Sequence, residues 1–158
     1  MATSISHSPA DTAALGEQWG RAAQSGLVIG LSGDLGAGKT QFVKGLARGL
    51  GIAARVQSPT YVLVNIYTGG RLTLFHLDLY RLDTPGQIAA AGLEEYLRPA
   101  GVTVIEWAER WFGEGRRKNA ECRIQNVEIA GQVQQLRRVQ IEVLSETERR
   151  ITYEDTGV

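Results

Sequence analysis

Leu27-Val28-Ile29-Gly30-Leu31-Ser32-Gly33-Asp34-Leu35-Gly36-Ala37-Gly38-Lys39-Thr40-Gln41-Phe42 is the stretch that decides the fold. Leu27–Leu31 is a short continuous apolar run, the pattern of a strand covered on both faces. Gly33–Thr40 then fits G-x-x-x-x-G-K-[ST] at every required position. After it Phe42, Val43, Leu46, Ala47 and Leu50 recur at helical spacing up to Gly51, a natural helix stop. The motif carries chemistry only between a strand and a helix, and both flanks are present. Its glycines let successive N–H groups turn inward as an anion nest, and the helix adds its positive end. Lys39 is the residue placed to reach β- and γ-phosphates, and the Thr40 hydroxyl the one placed to ligate Mg²⁺. A chance glycine turn before a helix is the weaker account of so complete a match.

Working outward, Ser8-Pro9-Ala10-Asp11 reads as a helix start with Ser8 as N-cap, Pro9 at the first helical position and Asp11 near the positive dipole end. Leu15 and Trp19 give that helix an apolar stripe, and it runs to about Gln24 before Gly26 stops it. Tyr61–Tyr67 and Leu72–Tyr80 read as two strands joined through Thr68-Gly69-Gly70-Arg71 as a hairpin. In the second run Leu72, Leu74, His76, Asp78 and Tyr80 share one face, and Phe75, Leu77 and Leu79 the other. Thr84-Pro85-Gly86-Gln87 is a capping box opening a helix to about Ala91, with Gly92 ending it and Leu93–Leu97 as a further turn. Val102–Ile105 is another buried strand, and it ends in Glu106. Cys122–Ile129 and Leu136–Leu144 are expected to form a final antiparallel pair, with 146–158 as a frayed polar tail. The expectation is a three-layer α/β nucleotide-binding domain with a central, mostly parallel sheet and antiparallel strands at its edges. It is read as one domain over 1–158 with its core at about 8–145.

The chain has 158 residues, 43% of them apolar, enough for a core. Lys+Arg and Asp+Glu are each 17, so no basic excess points to autonomous nucleic-acid binding. The only cysteine is Cys122, which removes an intrachain disulfide and a Cys-based zinc site. No basic start, apolar leader or membrane-length run is visible, so the expected location is the cytoplasm, with no membrane contact.

A phosphate loop of this kind needs an acid at the end of a neighbouring buried strand to hold the metal. Asp78 and Glu106 are the two candidates. Glu106 ranks first because Val102–Ile105 is the more uniformly apolar run, as a strand beside Leu27–Leu31 should be.

Taken in order and spacing, GDLGAGKT (33–40), SPTY (58–61), HLDLYRL (76–82) and IEW (105–107) resemble the bacterial TsaE family, formerly YjeE, of tRNA threonylcarbamoyladenosine biosynthesis proteins. The resemblance covers roughly residues 8–112. It implies an ATPase, weak on its own, required for placing a threonylcarbamoyl group on one adenosine of tRNAs that read codons beginning with A. The transfer itself falls to partners, TsaB-like and TsaD-like proteins, whose complex is cycled by ATP hydrolysis and which alone bring the chain to tRNA. The resemblance further implies ATP and Mg²⁺ as cofactors, Leu35, Gly36, Ala37, Gly38, Lys39 and Thr40 along the phosphates, and Thr40 with Glu106 at the metal. Ser58-Pro59-Thr60 resembles a first switch segment in which Thr60 meets a γ-phosphate or its metal. Asp78 with Tyr80 and Arg81 resembles a second. Lys39, Glu106, Asp78 and Thr60 are thus the candidate catalytic residues.

The resemblance also implies that Trp107 lies near the nucleotide, and that an arginine of the final strand pair does so too. Arg137 and Arg138 compete for that place, and alternation with Val139, Ile141 and Val143 favours Arg137. The segment around Ser8 and Pro9 is expected near the base. His76 either orients Asp78 or is a structural histidine. Gln41 departs from the family pattern, where a second Thr is common, and the Gly/basic connector Gly113–Asn119 is unusual. Two other functions compete: a small-molecule kinase, with Arg116-Arg117-Lys118 as a short candidate lid, and a nucleotide-gated interaction module whose hydrolysis is incidental.

Overall fold

The computed structural model describes residues 2–113 and 133–157. Among these residues one seven-stranded sheet runs in the order β1 (Ala2–Ser6), β7 (Arg149–Gly157), β6 (Gln135–Val143), β2 (Leu27–Ser32), β5 (Val102–Glu106), β4 (Leu74–Asp78) and β3 (Val64–Tyr67). The middle strands β6, β2, β5 and β4 are parallel, whereas β3, β7 and β1 pair antiparallel at the two sides. The expected α/β sheet, parallel within and antiparallel at its edges, is therefore the one observed.

Alternation within each strand divides the core. Ile29, Leu31, Leu74, Val102, Val104, Val139 and Ile141 turn to the face covered by helix α1 (Pro9–Ala22) and helix α2 (Lys39–Gly49). Val28, Leu77, Ile105 and Leu136 turn to the other face, against helix α3 (Pro85–Ala90), the 3₁₀ turn Leu93–Leu97 and the short α4 (Glu109–Phe112). The start of α1 is as expected: the Ser8 hydroxyl accepts from Asp11 N at 3.1 Å, with Pro9 at the first helical position. Thr84 caps α3 in the same way, its hydroxyl accepting from Gln87 N at 3.2 Å, while the Gln87 side chain accepts from Asp83 N.

Helices α1 and α2 approach each other through glycine. A Cβ on Gly45 would lie 1.8 Å from Ala13 O, one on Gly49 2.2 Å from Glu17 O, and one on Gly16 2.3 Å from Phe42 O. Backbone therefore lies directly on backbone along this crossing, which fixes α2, and the loop before it, against the rest of the face.

Two expectations change. The segment after Ser145 is not a frayed tail: 149–157 form β7, hydrogen-bonded to β6 on one side and β1 on the other. Its polar residues are tolerated because every second one faces solvent, while Ile151 is fully buried on the opposite face. The antiparallel partner of β6 is thus β7; Cys122–Ile129, the connector 114–119 and the candidate lid 116–118 lie outside the described residues. Second, the strand expected over 61–67 starts only at Val64. Leu63 takes a left-handed φ of 69°, and Leu63 N donates to Pro59 O at 2.7 Å, so 59–63 turn instead of extending.

Candidate nucleotide-binding site

In an open α/β sheet a ligand belongs beyond the carboxyl ends of the parallel strands. There β2 runs into Gly33–Gly38, and the register sets Leu31 beside Glu106 and Glu106 beside Asp78, bringing both acids level with the loop. A cleft of about 540 Å³ opens at this place, lined by Leu35–Gln41, Ser58, Thr60, Asp78, Tyr80, Glu106 and Trp107.

The loop is shaped by positive φ. Gly36 takes 79° and Gly38 takes 106°, values that a side chain at either position would resist. Gly38 then serves as N-cap of α2 without a side chain, leaving the first N–H groups of the helix directed to the cleft. The Lys39 ammonium folds back over the loop, donating to Gly33 O at 2.6 Å and Asp34 O at 2.9 Å, with the Trp107 ring centroid 4.0 Å away. Burial pushes its pKa below the usual lysine value, against the opposing pull of Glu106, Glu109, Asp78 and Asp34. A polyphosphate would supply this cation with the counter-charge that two carbonyls provide only in part.

Glu106 is 3% exposed and is held by two groups. Thr40 Oγ1 donates to its Oε1 at 3.0 Å, and His76 Nε2 lies 2.5 Å from its Oε2. Asp78 has a different set of partners. Its Oδ2 accepts from Ser58 Oγ at 2.7 Å and Thr60 Oγ1 at 2.9 Å, and its Oδ1 accepts from Tyr80 N at 2.9 Å. Asp78 N also donates to Leu63 O at 3.0 Å, so this one residue anchors the 58–63 turn by main chain and side chain. The two acids thus divide: Glu106 faces the Thr40 hydroxyl, and Asp78 grips the Ser58–Thr60 segment. The Thr40 hydroxyl and Glu106 carboxylate are hard oxygen donors with room beside them for phosphate oxygens and water, a set that fits Mg²⁺.

Trp107 has φ 61°, an outlier for so large a residue, and its ring stands 5.1 Å from that of Tyr80 at the mouth of the cleft. Leu35 is 78% exposed at the tip of the loop.

Arg137 is not brought to the cleft. It shares a face with Val139 and Ile141, as alternation requires, but its guanidinium lies over Trp19 (4.4 Å) and donates to Asp155 at 2.6 Å, a bond that raises its pKa. The expectation that it lines the nucleotide rested on the strand face alone, and that face also carries α1, whose Trp19 takes the side chain. Arg138 turns the other way and donates to Gly113 O. The arginine at the loop is Arg149, which the sequence reading passed over. From β7, its Nε donates to Ala37 O at 3.1 Å and its Nη2 to Gly36 O at 3.4 Å. The alternation of Ile151 and Tyr153 was the available signal for a strand there. His76, which shares a strand face with Asp78, faces Glu106 on the adjacent strand.

The chain is similar to known proteins in sequence and in fold. The family model described as threonylcarbamoyl adenosine biosynthesis protein TsaE matches residues 6–148. A Treponema pallidum protein named tRNA threonylcarbamoyladenosine biosynthesis protein TsaE is 49% identical over 106 residues, which are 67% of this chain and 78% of that one. A Synechocystis protein of the same name is 46% identical over 102 residues, 60% of this chain and 64% of that one, so the match spans just under two thirds of its length. The crystal structure of YdiB from Bacillus subtilis superposes with a TM-score of 0.70 at 32% identity, covering 96% of this chain and 83% of that one. With the loop, the 58–63 turn and the two strand-end acids lying within the matched span, the chain belongs to the TsaE family.

Proposed function

We propose that the chain binds ATP with Mg²⁺ on Gly33–Thr40, hydrolyses it slowly, and serves threonylcarbamoylation of tRNA through TsaB-like and TsaD-like partners in the cytoplasm. The observation that carries this reading is the junction at Asp78. The Ser58–Thr60 turn hangs on a strand-end carboxylate, next to the Thr40–Glu106 pair, so a γ-phosphate arriving between them competes for the Thr60 hydroxyl. A ligand moves a conformational equilibrium only through contacts that differ between the states. ATP and ADP differ here by the group that meets Thr60. Mg²⁺ would supply charge neutralisation at the phosphates; Thr40 and Glu106 are the residues that would hold it, and Lys39 would stabilise the charge on the transferring group. The chain has a formal net charge of zero and so no basic excess for tRNA, which leaves contact with tRNA to the complex. Among the described residues, no helix is long and apolar enough to cross a membrane.

The test is multiple-turnover modification of unmodified tRNA by the purified partners, with and without this chain, alongside its Lys39→Ala variant. Turnover should require the wild-type chain, and Lys39→Ala should abolish both hydrolysis and stimulation while remaining folded. Stimulation by a Lys39→Ala chain that hydrolyses nothing would reduce the protein to a nucleotide-gated module. ATP hydrolysis undiminished in that variant would remove the ATPase assignment.

A further inference from the structure

We propose that His76 is a positioning residue for Glu106, holding its carboxylate in the orientation in which it faces Thr40 and the magnesium it would receive; this rests on the nucleotide-binding reading above. His76 is wholly buried, and its Nε2 lies 2.5 Å from Glu106 Oε2. Its other nitrogen, Nδ1, is buried with no hydrogen-bond partner among the described residues. The polar engagement of the imidazole among those residues is therefore Glu106.

Packing alone gives no reason for a histidine here. On this face Leu74 of the same strand and the register neighbour Val104 are apolar and fully buried, while Asp78 of the same strand and the register neighbour Asn65 bond other groups, so a leucine would fill the space without leaving a nitrogen unsatisfied. What a leucine lacks is the donor. Without one, Glu106 would keep only the Thr40 hydroxyl, and Thr40 is the group that must turn to a metal when one binds. The imidazole holds the second oxygen from the strand side, so the carboxylate stays oriented while Thr40 changes partner. A metal-binding carboxylate is normally held by such an outer hydrogen bond, and losing it costs about 10–100-fold in metal affinity or activity. A carboxylate can only accept, so in this pairing Nε2 is the donor.

The experiment compares His76→Leu, which fills the volume without a donor, with His76→Gln, whose amide nitrogen reaches the position of Nε2. Binding of ATP is titrated calorimetrically across Mg²⁺ concentrations, kcat and KM are measured, and the imidazole nitrogens of the nucleotide-free wild-type chain are read by NMR. His76→Leu should raise the Mg²⁺ needed for half-maximal ATP affinity by about 10–100-fold. It should lower kcat and leave Mg²⁺-free ADP binding within about twofold. His76→Gln should recover most of the loss, and the wild-type spectrum should show only the Nε2–H form. A folded His76→Leu with unchanged Mg²⁺ dependence overturns the proposal, as does a folded His76→Gln no better than it. Should His76→Leu fail to fold, His76→Gln and the spectrum decide: near-wild-type Mg²⁺ dependence with Nε2–H supports the role, and an Nδ1–H imidazole overturns it. A wild-type chain that binds no nucleotide fails the functional reading first, a result distinct from any of these.

Discussion

Gly45→Ala sets local propensity against tertiary contact, and the two give opposite signs. Gly45 lies inside α2, where alanine is favoured over glycine by about 1 kcal/mol. Propensity alone therefore predicts a more stable protein. The crossing with α1 predicts the reverse, because the new Cβ would sit 1.8 Å from Ala13 O, 2.6 Å from Ala13 C and 2.8 Å from Ala13 Cα. These are backbone atoms with no rotamer to move aside, so the helices must part by roughly 1.5 Å to reach ordinary contact, straining a packed core. Overpacking of this kind costs about 1–3 kcal/mol, and the rigid target places Gly45→Ala at or above the upper end. Net of propensity, the loss should be about 2 kcal/mol, a fall in Tm of roughly 4–8 °C for a chain of this size. The measurement is urea and thermal unfolding beside Gly86→Ala, also within a helix, where the nearest atom to the added Cβ is Thr84 Oγ1 at 3.8 Å. That control should gain up to about 1 kcal/mol. A Gly45→Ala protein as stable as wild type would refute the close-approach argument, since Gly86→Ala carries the same change in chain entropy without the clash.

The remaining predictions concern the cleft. Glu106→Gln should keep nucleotide affinity within about tenfold, ~1.4 kcal/mol, and cut hydrolysis by a factor on the order of 10². Asp78→Asn should instead loosen the Ser58–Thr60 turn and flatten the difference in partner binding between ATP-like and ADP states; exchanged phenotypes, scored by hydrolysis and pull-down with the partners, would move the metal role to Asp78. Arg149→Ala, which unties the carbonyls of Gly36 and Ala37, should weaken ADP binding by about tenfold in calorimetry, ~1.4 kcal/mol. Arg137→Ala should leave that affinity within about twofold and lower Tm through lost packing on Trp19. The opposite ranking would return Arg137 to the nucleotide.

Much of this site is written in local sequence because its parts are local. A strand, a glycine loop and a helix are contiguous from Leu27 to Gly49, and the chemistry of Lys39 and Thr40 is carried by their spacing in the loop. Glu106 could be ranked above Asp78 because burial of a parallel strand on both faces leaves an apolar run, and β5 indeed lies next to β2. The features that were not legible depend on register across strands. Nothing in HLDLYRL shows that His76 would meet Glu106 and not Asp78, since same-strand alternation is visible in a sequence and strand pairing is not. Arg137 was misplaced for the same reason: the pattern gave its face, and the face is shared by the loop and by α1. The β7 strand was missed because charged residues stand on both of its faces, Arg150 and Glu154 on one and Arg149 and Asp155 beside Ile151 on the other, which masks the alternation.

The pairing of β1 with β7 has a consequence for how the molecule is made. Ser6 stands opposite Arg149 in the ladder, so β1 waits for a strand made long after it. At ~5–20 residues per second, the about 140 intervening residues take roughly 7–30 s to synthesise. For nearly all of that interval β6 is unmade as well, so β2 has no neighbour on that side and residues 2–6 have no strand to join, leaving an unprotected edge of the kind that invites association between nascent chains. The segment that closes the edge also carries Arg149 to the outer carbonyls of the phosphate loop. Completion of the sheet and bracing of the loop are thereby a single late event, and a chain halted before β7 has the whole Gly33–Thr40 motif with no arginine behind it.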